Sequence, residues 1–170
     1  MDFNSILQNL KKGIFHPIYL LQGEEPYYID EISNYIEKNV LSEAERGFNQ
    51  TIFYGKDSDA ITIAESSMRF PMMANKQVII VKEAQSLGKI DQLASYAEKP
   101  LASTILVLNY KYKKLDSRTK LAKWIKKNGV IYTSEKIRDY KLPDWINVYL
   151  THRNFSITPQ AAQILTAYLG

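Results

Sequence analysis

"YLLQGEEPYYID", residues 19–30, runs apolar into a glycine and then turns amphipathic. Phosphate-binding loops of ATPases occupy this layout, between a buried strand and a helix N-terminus. A working loop reads G-x-x-x-x-G-K-[ST], because backbone amides cradle the phosphates, the lysine neutralises them and the hydroxyl holds magnesium. Counted from Gly23, the last three places hold Tyr28, Ile29 and Asp30. Tyrosine keeps the backbone from a close approach, isoleucine brings no charge, and aspartate repels phosphate. Glu24 and Glu25 suit a helix dipole but oppose an anionic ligand. The stretch therefore predicts an ATPase-type scaffold without a nucleotide site.

The segments on either side alternate between strand and helix. Phe3, Ile6, Leu7 and Leu10 predict a first helix over 2–12, with Gly13 as its stop. Pro17 to Gln22 reads as a strand, and Ile29, Ile32, Ile36 and Val40 as the apolar stripe of a second helix. Thr51 to Tyr54 is a second strand, Ser58 to Phe70 a third helix carrying Ile61, Ala64 and Met68, and Val78 to Val81 a third strand. A polar helix over 88–98, a strand over 104–108, a basic helix over 114–127 and a strand over 130–133 follow. Short β-branched runs without polar alternation, separated by helices, are strands buried on both faces of a mainly parallel sheet. The expected fold is a three-layer α/β domain with a mainly parallel sheet of five strands, over residues 1–138. Beyond it, Pro143 opens a short helix with Trp145, Ile146 and Tyr149, and Thr158-Pro159 caps another. Two helices of this kind bury little alone, so residues 139–170 read as the beginning of a small helical domain.

Composition narrows the function classes. With 45% hydrophobic residues the 170-residue chain has material for a real core, and its glycines and prolines form no linker. It has no cysteine, which excludes disulfides and thiolate metal sites. No apolar run is long enough to span a bilayer, so the expectation is a cytoplasmic protein without membrane association. Of the 22 basic residues, eight fall between Lys111 and Lys127 against Asp116 alone, giving that segment +7 and the remainder of the chain −3. Lys113, Lys120, Lys123 and Lys127 lie roughly along one side of the expected helix, with Leu115, Ala122 and Ile125 along another. Such a stripe fits a nucleic-acid backbone, and equally a solvated helix face.

Catalytic candidates are scarce. In "VIIVKE" the place of an ATPase's metal-binding aspartate holds Lys82, leaving Glu83 alone, and Asn109 sits where a polar sensor would stand or where a strand simply turns. His16 and His152 have no second ligand at metal-like spacing. Ser66 and Ser67 have no histidine nearby, and no G-x-S-x-G occurs. The chain is expected to be no enzyme and to hold no cofactor, nucleotide or metal. Binding surfaces remain. In "RFPMMANKQ", residues 69–77, Pro71 stops a helix and Met72 and Met73 follow in a polar, turn-like setting. Consecutive side chains there cannot both enter one core, so a partner's pocket could take them. The alternative is one core methionine and one incidental.

Four stretches in order carry a family resemblance: "PIYLLQGEEPYYIDE", "RFPMMANKQVIIVKEAQSL", "STILVLNYKYKKLDSRTKLAKWIKKNGVIY" and "KLPDWINVYLTHRNFSITPQAAQILTAYLG". Together they span nearly the whole chain and resemble the delta subunit of bacterial DNA polymerase III, the clamp-loader component that opens the sliding clamp. The resemblance implies a first domain of AAA+ type without ATPase function, a small helical second domain that this chain begins, and a third collar domain that it lacks. It implies the sliding clamp, the beta subunit, as partner, with delta prime and gamma/tau as fellow loader subunits and DNA reached through the complex. Family members grip the clamp with an apolar pair, typically Leu-Phe, at the tip of the helix before the third strand. The matching positions are Met72 and Met73, with Phe70 and Pro71 beside them. Rival classes are an active AAA+ ATPase with an aberrant loop and a freestanding basic DNA-binding module.

Overall fold

The computed structural model describes residues 1–151 and 153–169; His152 lies outside them. The chain divides into two compact units, Met1–Ser134 and Glu135–Gly170. The first contains five strands, β1 (Ile18–Gly23), β2 (Gln50–Tyr54), β3 (Gln77–Lys82), β4 (Thr104–Lys111) and β5 (Val130–Ser134), in one sheet of order β2-β3-β4-β1-β5. Every neighbouring pair is parallel. This is the three-layer α/β fold read from the strand and helix pattern, and the AAA+-like one that the family resemblance implies.

Alternation along the strands builds two cores from one sheet. Ile18, Leu20, Ile79, Val81, Leu106 and Leu108 face one side, where they meet α4 (Ala60–Ser67), α5 (Ala94–Glu98) and α6 (Lys120–Asn128) through Ile63, Tyr96, Leu121 and Ile125. Tyr19, Leu21, Val78, Ile80, Ile105 and Val107 face the other, beneath α1 (Phe3–Lys11) and α2 (Pro26–Asn39) with Ile6, Leu10, Ile29, Ile32 and Ile36. Each such side chain stabilises the fold by about 1.5–3 kcal/mol when fully buried. Only a sheet covered on both faces needs apolar residues at consecutive positions.

The helices depart from expectation in instructive ways. A helix absent from the sequence reading, α3 (Glu43–Asn49), precedes β2 and begins with a capping box in which Ser42 and Glu45 exchange side-chain and backbone hydrogen bonds. The third expected helix is shorter, ending at Ser67, and its buried face is Ala60, Ile63, Ala64 and Ser67 rather than Ile61, Ala64 and Met68. Small side chains let this helix lie close to the sheet, and the bulkier Ile61 and Met68 are left exposed. The expected helix over 88–98 splits into a 3-10 turn, Ile90–Leu93, and α5, because Lys89 takes a left-handed conformation. The basic helix begins at Lys120, capped by Thr119; the preceding residues form a turn fixed by Asp116 and Arg118.

The second unit holds α7 (Leu142–Thr151) and α8 (Pro159–Leu169), the latter capped by Thr158. Trp145 stacks on Tyr149 at 5.0 Å, and the Arg153 guanidinium lies 3.7 Å from the centre of the Tyr149 ring. Ala162 is the only buried side chain among its described residues.

Gly23 ends β1 at φ +124, and a Cβ added there would meet the backbone oxygen and nitrogen of Ser134 on β5. Gly23→Ala is expected to lower stability by about 2 kcal/mol or more in urea unfolding, since both strain and overlap must be relieved. An unchanged midpoint would show that β1 and β5 do not close so tightly.

Candidate functional site

The loop after β1 has turned its anion-binding features on itself. The Glu25 carboxylate caps α2, accepting from the Tyr27 amide at 3.3 Å, so an internal carboxylate stands where an anionic ligand would meet the helix N-terminus. The Glu25 amide donates to the Ser134 hydroxyl and the Glu24 amide to the Ser134 carbonyl, which ties the loop to β5. Tyr28, in the place of the second loop glycine, packs its ring edge-on against Phe3 at 4.9 Å. Asp30 forms an ion pair with Lys111 at 2.7 Å. Lys82, in the place of a metal-binding aspartate, pairs with Glu37 at 3.4 Å. Glu83 is exposed in a left-handed turn, and Asn109 is buried, donating to the Ser33 hydroxyl. The charges that would have served phosphate and magnesium are replaced or used in internal pairs.

At the opposite edge of the sheet, the segment between α4 and β3 builds a different kind of site. Met72 is 61% exposed and Met73 fully so, with Phe70 at 76%. Neither methionine is core, which removes the alternative of one buried and one incidental residue. The pair also lies off the helix tip, in the irregular segment after α4, with Pro71 partly buried between Phe70 and Met72. Met73 adopts φ 53, a left-handed conformation that a non-glycine residue holds only when its surroundings impose it.

Those surroundings are three residues at the starts of strands. Asn49, 4% exposed and immediately before β2, accepts from the Met72 amide at 2.6 Å and donates to the Met72 carbonyl at 2.9 Å. Gln77, first residue of β3, donates its side-chain amide to the Arg69 carbonyl and to the Thr104 hydroxyl. Thr104, first residue of β4, donates to the Ser67 carbonyl at 2.9 Å. Buried backbone groups outside regular structure need such partners. The exposed apolar corner is thus carried on an anchored backbone. Sequence reading gave no role to Asn49, Gln77 or Thr104; the only local signal was the S-x-x-E box that begins the helix ending in Asn49. Phe48, beside Asn49, is 76% exposed and was also missed.

The basic candidates separate. Lys113 lies in the loop after β4, where its carbonyl accepts from the Gly23 amide. Leu115 is buried in that loop as well, its amide held by the Gln22 side chain. Lys120, Lys123 and Lys127 lie together on α6, where with Trp124 and Glu98 they line an open depression of about 470 Å³. The Lys127 ammonium sits 5.1 Å from the centre of the Trp124 ring. The basic stripe is therefore one helix face plus a separate loop. His16 donates its backbone amide to the Tyr19 hydroxyl, and among the described residues no group of three or more His, Asp or Glu side chains is placed to hold a metal ion. No helix among them is long and apolar enough to cross a membrane.

The family model for DNA polymerase III, delta subunit, matches residues 19–135. The chain belongs to the DNA polymerase III delta-subunit family. Its relative in Bacillus subtilis, DNA polymerase III subunit delta, is 28% identical over 171 residues, covering 94% of this chain and 49% of that protein. The chain thus spans about half the length of this delta-family relative. The solved Bacillus subtilis DNA clamp loader delta protein matches with a TM-score of 0.75 at 25% identity, over 96% of this chain and 51% of that one. A Thermotoga maritima RuvB mutant matches at TM-score 0.52 and 15% identity, over 96% of this chain and 53% of that one, a likeness of fold to an AAA+ protein.

Carboxylates cap the helices that flank the corner. The Ser42 hydroxyl, and then its amide, hold the Glu45 carboxyl below its ordinary value of 4.5; Asp59, capping α4, is lowered by the Thr62 hydroxyl and amide. A depressed folded-state pKa gives stability that is present above the unfolded value and lost as pH falls through the folded one. Glu45→Ala is therefore expected to destabilise the protein at neutral pH, with the difference narrowing below pH 4.5, as measured by thermal unfolding across pH. A difference independent of pH would mean that the ionised carboxylate does not hold α3.

Proposed function

We propose that this delta-family chain binds the sliding clamp, the beta subunit, and favours its open form during DNA replication. Met72 and Met73 enter an apolar pocket on the clamp, and Phe70 and Pro71 extend the contact. The observation that carries this reading is the pair of adjacent, exposed thioether side chains on an anchored backbone. Unbranched, polarisable methionines adapt to a pocket shaped for other apolar residues, and each contributes about 1.5–3 kcal/mol when fully buried. Clamp opening follows from differential affinity: a surface that fits the open ring better than the closed one shifts the ring towards opening, whereas equal affinity shifts nothing.

In this reading the chain contributes no ATPase residues of its own. Partner subunits of the loader, which comprises delta prime and gamma/tau, bind and hydrolyse ATP and so hide or expose the corner, in the cytoplasm. DNA is met through the assembly, with Lys113, Lys120, Lys123 and Lys127 as candidate backbone-facing cations. The clustering of three of these around Trp124 supports a secondary role in DNA binding, which would be steeply salt-dependent.

The test is clamp binding by the 170-residue chain. Wild type is expected to bind its cognate clamp, and Met72→Ala/Met73→Ala to lose about 2 kcal/mol or more, roughly thirtyfold in Kd. Equal binding by the double variant would refute the site. The chain is also expected to bind no ATP in calorimetry, and measurable binding or turnover would favour the active-ATPase alternative.

A further inference from the structure

Asn49 spends its entire carboxamide on backbone. Its oxygen and nitrogen exchange a reciprocal pair of hydrogen bonds with the amide and carbonyl of Met72, and the nitrogen also donates to the Glu45 carbonyl at 3.0 Å. That exchange copies what two residues of an antiparallel pair do, and here one side chain does it at a distance of 23 positions along the chain. Residues 68–76 belong to no helix or strand, so Met72 has no backbone ladder to hold it. The next residue, Met73, is left-handed and fully exposed. Gln77 fixes the other side of the Phe70-Pro71 step through the Arg69 carbonyl.

We infer that Asn49 is a positioning residue for the methionine corner: its carboxamide fixes Met72 and, through it, the left-handed turn at Met73 that presents both side chains to a partner. The inference rests on the proposed clamp-binding role of the corner. A surface ordered before binding loses less conformational freedom on docking, so the anchor acts on affinity without touching the partner. Without it the segment samples other conformations, and apparent affinity falls with the population of the competent one. Asn49→Ala removes all three hydrogen bonds. Asn49→Asp keeps size and the acceptor from the Met72 amide, but sets a carboxylate oxygen against two carbonyls that the amide nitrogen had satisfied.

The test is a mutant cycle on clamp affinity, with thermal unfolding and the methionine methyl spectrum of the free chain recorded in parallel. Asn49→Ala and Asn49→Asp are each expected to weaken binding about tenfold, a loss on the scale of the hydrogen bonds removed. Added to Met72→Ala/Met73→Ala, either should cost nothing further, because no side chain remains to be aimed. The Met72 and Met73 methyl signals should shift or broaden while those of Met1 and Met68 stay. Asn49→Asp covers the case in which alanine unfolds α3. If the methionine pair is needed for binding but both Asn49 variants bind fully, the positioning role is overturned and the corner reading stands. Losses that simply add to those of the methionine pair assign Asn49 to general stability and also overturn it. Full binding by the methionine-pair variant instead overturns the corner reading itself.

Discussion

Three side chains at the starts of adjacent parallel strands hold the exposed corner in place. Asn49 before β2, Gln77 opening β3 and Thr104 opening β4 reach the carbonyls or amide of Ser67, Arg69 and Met72. Register sets their proximity: Gln50 pairs with Val78, and Gln77 with Thr104, so the three anchors are lined up along one edge of the sheet. The apolar faces that fix the register therefore also fix the corner. A one-residue slip of a strand would exchange its two buried faces, which the paired cores forbid. Sheet stability and presentation of Met72 and Met73 share this one constraint.

In a parallel sheet, segments that enter strands gather at one edge and segments that leave them at the other. The glycine loop follows β1, whereas the methionine segment precedes β3, so the two sites lie at opposite ends of strands about 20 Å long at the usual rise per residue. Internal contacts occupy the edge after β1. Glu25 occupies the helix N-terminus, Tyr28 packs on Phe3, and Asp30 and Lys82 are committed to Lys111 and Glu37. The fold is shared with the solved Bacillus subtilis clamp loader delta protein, in keeping with the delta-family assignment.

The three central strands, β1, β3 and β4, were legible because each holds an uninterrupted apolar run, which two-faced burial requires and no other environment tolerates so well. The departure of the loop from the phosphate-binding pattern was legible because that pattern consists of residue types at fixed spacing. Helix limits were harder. Met68 and Ile61 look like core by hydropathy, yet Ala60, Ala64 and Ser67 pack because closeness to the sheet favours small side chains. Lys113 shares a helical spacing with Lys120 and Lys127, but the Asp116–Arg118 turn ends the pattern before the helix begins. The methionines could be singled out by their oddness in a polar segment. Their anchor could not, since a side chain reaching across 23 residues leaves no local trace and Asn49 resembles any helix-ending asparagine.

The central claim is that the partner is met at the β2-β3-β4 entry edge and not at the old nucleotide edge or the basic helix. Hydrogen–deuterium exchange on the chain, free and saturated with its cognate sliding clamp, locates the contact directly. Protection centred on residues 68–76, with the end of α3 following, is the predicted result. Protection confined to residues 23–30 or 111–127, with 68–76 exchanging as in the free chain, would contradict it.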